Sequence, residues 1–306
     1  MDTVLITGGT GMVGTQLTQI LLAQGYKVII LSRSAKQSNI ANLQYKIWNV
    51  SKQYIDPTAI TQADHIVHLA GAGVADKRWS QERKSEIVSS RVESGKLLVH
   101  ALANNPNQVK TVVSASAQGW YGADAGVVFT ENMPYHNDFL GNTCMLWEQA
   151  ITPVAALNKR LVILRIGIVL STKGGALKEF LKPLLFRLAT TLGNGKQIVS
   201  WVHLTDLCHM FLHAIKNQNT TGIYNACASL PVSNNNLITT IAKVSCGKFY
   251  IPFKVPAFLL KIIMGQMSIE VLKSTTMSNA KLLASGFKFE FNNLENGLKD
   301  LIENKH

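Results

Sequence analysis

The first fourteen residues constrain the fold more than any other part of the chain. Thr3-Val4-Leu5-Ile6-Thr7 is an apolar, β-branched run, and Gly8, Gly11 and Gly14 follow it before a helical pattern begins. A strand, a glycine turn and a helix in that order open a βαβ unit. Gly8 permits a tight turn off the strand, Gly11 lets backbone approach a pyrophosphate, and Gly14 lets the helix pack close to the strand. The anion then rests on free N–H groups at the helix start. With Thr10, Met12 and Val13 filling the turn, the expected nucleotide contacts are Gly8, Thr10, Gly11, Met12, Val13 and Gly14.

The same alternation continues downstream. Lys27–Leu31, Asp64–Leu69, Lys110–Ser114 and Arg160–Arg165 read as short, nearly all-apolar strands, as in a parallel sheet covered on both faces. Between them, Gly14–Gln24 and Gln81–Ala103 carry apolar residues at helical spacing. The expected fold is α/β: a doubly wound parallel sheet with a smaller, interleaved C-terminal substrate lobe. Residues 1–170 and 198–230 are assigned to the dinucleotide domain, and 171–197 with 231–306 to the substrate lobe. A length of 306 residues accommodates both.

Cofactor choice is read after the second strand. A carboxylate there would hold a ribose 2′-hydroxyl, but here Ser32-Arg33-Ser34 follows Leu31 and no acid occurs until Asp56. Arg33 can pair with a 2′-phosphate and Ser34 can donate a hydrogen bond to it, which favours NADP(H) over NAD(H). Leu69, Ala70 and Gly71, at the end of the next apolar strand, Ser114 on the following one, and Arg165 are the remaining expected cofactor contacts.

Charge and cysteines narrow the partners. Thirty Lys and Arg against 18 Asp and Glu give a net charge of +12, but the cations are spread singly and accompany no recognition motif. That argues against nucleic acid and for solubility and attraction of small anions, leaving open an anionic small-molecule substrate. The longest apolar stretch, Val255–Met264, is broken by Pro256 and Lys261, short of the ~20 residues that cross a bilayer, so no membrane partner is expected. Cysteines 144, 208, 227 and 246 form no metal-binding spacing and, with no signal-peptide pattern, point to reduced thiols in the cytoplasm. The oligomeric state is left as monomer or homodimer.

Several landmarks together resemble the extended short-chain dehydrogenase/reductase superfamily. They are Thr7 to Gly14, Asp64 to Gly71, Tyr121-Gly122 with Glu131 to Pro134, Trp201 to Asp206, and Gly222 to Asn225, in the family's order. Arg78-Trp79, Ser89-Ser90-Arg91, Ser114 to Gly122, Asp138-Phe139-Leu140, Trp147-Glu148 and Gly174 to Leu177 resemble one atypical branch, an epimerase family of nucleotide-sugar-epimerase-like proteins. The resemblance implies NAD(P) binding, with oxidoreductase or epimerase chemistry on a substrate that the branch does not define.

It also implies a Ser or Thr and a Tyr-x-x-x-Lys pair as the proton relay. Those positions fall on Ala117, Leu140 and Cys144, and an Asn of the preceding helix falls on Ser90. Tyr250-x-x-x-Lys254 matches the spacing but contains Pro252, which a helix interior excludes. Substitute catalytic groups are therefore sought in Tyr121, Ser116 and Cys144, with Glu148 and His203 as further candidates and Arg78, Arg91 and Arg165 as possible anion contacts. Two readings stay open: an NADP-dependent oxidoreductase or epimerase with a non-standard relay, and a non-catalytic NADP-binding regulator.

Overall fold

Thr3 to Thr7 form a strand because β-branched and aliphatic side chains fit a pleated surface buried on both faces. The computed structural model describes residues 1–124 and 126–303, so the last three residues assigned to the C-terminal lobe lie outside it. The first half runs β1 (Thr3–Thr7), α1 (Met12–Ala23), β2 (Lys27–Ser32), β3 (Leu43–Asn49), β4 (Tyr54–Ile55), α2 (Pro57–Thr61), β5 (His65–His68), α3 (Gln81–Asn104), β6 (Thr111–Ala117), α4 (Phe139–Ile151) and β7 (Arg160–Ile166). The second half runs β8 (Ile168–Leu170), α5 (Gly175–Leu184), β9 (Leu188–Leu192), β10 (Ile198–Val199), β11 (Trp201–His203), α6 (Leu204–Lys216), β12 (Gly222–Ala226), β13 (Val232–Ser233), α7 (Asn234–Cys246), β14 (Ile251–Val255), α8 (Ala257–Met264), α9 (Ser268–Leu272), α10 (Ala280–Ala284) and α11 (Leu294–Glu303).

Among the described residues, the main sheet has the order β12-β7-β6-β5-β1-β2-β3-β4. All its pairs are parallel except β3 with β4 at one edge. The fold is the expected doubly wound α/β sheet. Strand order reverses at β1, whose neighbours are β2 and β5, and a crevice opens above the carboxyl ends of strands at such a point.

Strand alternation divides the core. Val4 and Ile6 pack on one face with Leu17, Leu21, Leu207 and Phe211 of α1 and α6. Leu5 packs on the other face with Ile60, Leu98 and Ile151 of α2, α3 and α4. Each fully buried aliphatic side chain contributes roughly 1.5–3 kcal/mol. A further core joins Leu170 and Trp201 to Leu177, Leu237, Ile241 and Leu298 of the C-terminal lobe. The chain leaves the sheet after β7, returns for β12 and leaves again, so the lobes interleave. No helix among the described residues is long and apolar enough to cross a membrane.

Candidate functional site

The turn between β1 and α1 has the geometry that its glycines require. Gly8 has φ +67°, and a Cβ there would stand 2.9 Å from the Leu69 carbonyl. At Gly14 a Cβ would stand 2.5 Å from the Gly8 carbonyl oxygen and the Gly9 Cα. Gly11 precedes the helix in extended conformation, and no side chain caps the first turn of α1. Thr10 and Gly11 are exposed, and Met12 and Val13 half-buried, so an anion can reach the helix start. Gly174 at the start of α5 closes on the turn from the other lobe, its Cβ position 3.4 Å from the Met12 sulfur.

The neighbouring wall is fixed by a buried polar chain. Thr7 Oγ1 accepts the N–H groups of Leu69 and Ala70 at 3.1 Å each and lies 2.8 Å from His68 Nδ1. Burial, with Arg91 adding repulsion, pushes the His68 imidazole down to about 4, so the ring is neutral. Arg91 donates to the carbonyls of Ala72 and Ile87, and Ser90 Oγ accepts the Ala72 N–H. Gly71 packs against the Arg91 side chain. Arg91 is thus buried in holding the loop after β5 and is not presented to a substrate. At the end of β2, Arg33 and Ser34 are both exposed, with Ser32 buried behind them.

Below the carboxyl ends of β6 and β7 the picture is different. Arg165 is 1% exposed; its Nε and Nη2 donate to the two Glu148 carboxylate oxygens at 2.9 Å. Its Nη1 donates to the Tyr121 hydroxyl at 3.1 Å and to the Glu131 carbonyl at 3.0 Å, and its guanidinium lies 3.6 Å from the Trp120 ring centre. Ser116 donates to Glu148 Oε1 at 2.7 Å. The Tyr121 hydroxyl is 2.8 Å from Asn225 Oδ1, and Glu131 accepts the Asn225 N–H. Tyr121, Glu131 and Asn225, separate landmarks in the sequence, therefore converge on one buried polar cluster.

This cluster encloses several of the expected site residues. Arg165, expected beside the cofactor, spends its donors on Glu148, Tyr121 and the Glu131 carbonyl. Ser114 is fully buried in mid-strand and donates to the Ala115 carbonyl. Tyr121 is 1% exposed and stacked on Phe129, and burial pushes its phenol above the ordinary value. Burial pushes the Cys144 thiol up to about 12, which leaves it a protonated donor near the Ala117 carbonyl. His203 caps α6, accepting the Thr205 N–H, and lies buried against Phe291 and Asp300. Tyr250 precedes the strand β14, which holds Pro252 and Lys254, so the Tyr250–Lys254 pair is not helical. Chemistry from Tyr121, Ser116 or Cys144 would need these groups released from their partners.

Residues 4–227 match the model of the NAD dependent epimerase/dehydratase family, and residues 255–301 match a domain of unknown function, DUF1731. The chain belongs to the NAD dependent epimerase/dehydratase family. It is 33% identical over 303 residues to the epimerase family protein YfhF of Bacillus subtilis (strain 168), covering 99% of this chain and 98% of that one. It is 34% identical over 307 residues to the epimerase family protein SAR0825 of Staphylococcus aureus (strain MRSA252), covering 99% of each. Among solved structures it is similar to the human epimerase family protein SDR39U1 (isoform2) with NADPH, at TM-score 0.87 and 27% identity, covering 99% of both chains. It also resembles a nucleoside-diphosphate sugar epimerase from Corynebacterium glutamicum, at TM-score 0.78 and 29% identity, over 98% of this chain and 58% of that one.

Within the family frame, a second polar group stands beside the turn after β6. His136 Nδ1 is 3.0 Å from Asp138 Oδ2, and the His136 ring lies against Gly122. Lys273 Nζ is 2.8 Å from Glu270, 3.3 Å from the Tyr121 carbonyl oxygen and 4.0 Å from Asp138. Burial pushes the Glu270 carboxyl up, against the pull of Lys273. Sequence reasoning missed this group because Lys273 and Glu270 arrive from a segment about 150 residues beyond Tyr121. Only the Asp138 helix cap, accepting the Gly141 N–H at 2.8 Å, had a local signal.

Proposed function

We propose that this protein binds NADP(H) between residues 1–170 with 198–230 and the lobe of residues 171–197 with 231–306, and acts as an oxidoreductase or epimerase without a Ser/Tyr/Lys relay. The observation that carries the reading is the nucleotide turn, where Gly8 and Gly14 leave only the space that their missing side chains vacate. The residues present fit a dinucleotide: the uncapped start of α1 would hold the pyrophosphate, and Arg33 with Ser34 the 2′-phosphate. The human relative carrying NADPH supports that choice. When bound, the nicotinamide supplies hydride donation and acceptance.

Proton transfer then falls to the polar side chains beside the turn after β6. His136 is the first of these: Asp138 at 3.0 Å orients its Nδ1, which leaves Nε2 to hold or release a proton. Lys273, largely buried and held by Glu270 at 2.8 Å, is the second. The test is NADPH titration followed by hydride exchange against a panel of carbonyl and nucleotide-sugar compounds. His136→Asn and Lys273→Met should keep NADPH affinity and lose exchange.

The enclosure of Tyr121 and Cys144 favours a second reading, a non-catalytic NADP-binding regulator. Tight NADPH binding with no exchange on any panel member, together with different protein partners captured in the oxidised and reduced states, would favour it over the first.

A further inference from the structure

The proposed function leaves unused one surface of the C-terminal lobe. The stretch Val255–Met264, too short and too interrupted to span a bilayer, folds as the end of β14, Pro256 and α8. A helix on a protein surface normally turns its apolar side inward, but α8 buries Leu260 alone. Phe258, Ile262 and Ile263 are 66%, 64% and 62% exposed.

The strand before it extends the same surface. β14 pairs in parallel with β9, placing Ile251 beside Leu188 and Phe253 beside Thr190. β14 is exposed from Ile251 to Lys254; Ile251 and Phe253, 62% and 50% exposed, share one side of it, and Pro252 and Lys254 the other. Arg187 donates to the Phe249 carbonyl at 3.0 Å, and the Ile251 N–H donates to the Arg187 carbonyl at 2.8 Å. Those bonds bring exposed Leu185 and Phe186 alongside exposed Phe249. Scattered apolar side chains on a surface need no explanation, but a contiguous set of this size marks an interaction face.

Charge selects the occupant. Residues 180–200 and 241–269 contain no Asp or Glu; Lys182 is paired with Glu179, while Arg187, Lys248 and Lys261 are exposed near the apolar side chains and Lys254 is exposed on the other side of β14. A second copy of the chain, related by a two-fold axis, would bring Arg187, Lys248 and Lys261 together, and the nearby Glu179 is already engaged by Lys182. Strand addition at β14 is opposed by Pro252, which lacks an N–H, and by Lys254. A bilayer surface with anionic headgroups suits both features: apolar side chains enter the acyl boundary while lysine stems carry their ammonium groups to the phosphates.

We propose that Leu185–Arg187, Phe249–Lys254 and α8 form a face that docks peripherally on an anionic lipid bilayer. The expectation of no membrane partner rested on the absence of a spanning segment; this face lies on the membrane without crossing it.

The test is co-sedimentation of the full chain with vesicles of phosphatidylcholine alone and of phosphatidylcholine mixed with phosphatidylglycerol. The protein should pellet with the mixed vesicles, remain in solution with the neutral ones, and be released as salt screens the charges. Two variants, Phe258→Ser with Ile262→Ser and Lys254→Glu with Lys261→Glu, should each lower vesicle affinity about tenfold or more. All four side chains are exposed, so both variants should keep the native thermal midpoint and NADPH affinity. Absence of pelleting at low salt, equal pelleting with both vesicle types, or unchanged binding by the variants would overturn the proposal. So would light scattering that shows a dimer which the Phe258/Ile262 variant splits into monomers, since the occupant would then be a second copy.

Discussion

The start of α1 and the ground beneath β6 and β7 lie at the same edge of one sheet, yet they are built in opposite ways. Around Gly8, Gly11 and Gly14 the backbone is tightly packed and side chains are withheld, so polar N–H groups face outward. Around Arg165 the polar groups face one another, and every candidate named from that stretch of sequence is enclosed. The first arrangement keeps its hydrogen-bonding capacity for a ligand, and the second spends it on the fold. Substitutions in the two regions should therefore separate: affinity lost without stability in one, stability lost without affinity in the other.

The largest effect should come from Arg165→Met. It leaves the Glu148 carboxylate buried without its partner, which costs about 3–5 kcal/mol. Urea denaturation should show that loss. If the variant kept its stability but bound NADPH many-fold more weakly, Arg165 would belong to the cofactor site and the contrast would fail.

Acid comes next. His68 is held at about 4, below the ordinary 6.5, by burial and by Arg91. The unfolded chain takes up a proton near pH 6.5 that the folded chain refuses until about pH 4. Stability conferred by neutral His68 is therefore complete above pH 6.5 and is lost as pH falls toward 4, by ~3 kcal/mol at ~1.36 kcal/mol per unit. The thermal midpoint should fall across this window, and His68→Gln should flatten the fall. An equally steep curve in the variant would move the acid sensitivity elsewhere.

Arg33→Asp probes the open region. It should weaken NADPH by about 10- to 100-fold, the worth of charge-assisted hydrogen bonds to a phosphate, and leave NADH affinity and the urea midpoint unchanged. An equal loss for both nucleotides would reject the role of Arg33. The smallest effect should be that of Tyr121→Phe, which removes one buried hydroxyl and leaves Asn225 Oδ1 short of a donor. A loss of about 1–2 kcal/mol with unchanged hydride exchange is expected. Abolished exchange with intact stability would restore Tyr121 as a proton donor.

The parts of the fold legible in the sequence are those whose cause is local. β1, the glycine turn and α1 are written in adjacent residues, and so are β2, β5, β6 and β7. β3 is not legible as a strand, because next to the sheet edge its Gln44 and Lys46 interrupt the apolar pattern. The site was half legible. Gly8 to Gly14 could be placed because turn geometry dictates glycine. The partners of Arg165 and Ser114 were not legible, because a residue's position on a strand does not say what stands across from it. Glu148 on α4 decides the direction of Arg165, and the depth of Ser114 in mid-strand decides its enclosure. Lys273 was invisible for a related reason: its neighbours Asp138 and Tyr121 are remote in sequence, and no periodicity connects them.

The packing of α1 against α6 has a consequence for how the chain is made. Leu17 and Leu21 share their core with Leu207 and Phe211, and the Cys208 thiol sits 3.7 Å from the Val13 carbonyl oxygen. The helix whose start would receive a nucleotide emerges from the ribosome early, but its covering helix follows almost two hundred residues later, and β12, which completes the sheet, later still. During that interval the nascent chain exposes one apolar face of α1 and an unpaired edge at β7, the surfaces that chaperones shield. A chain terminated before Leu204 should therefore collect in the insoluble fraction rather than survive as a small nucleotide-binding domain.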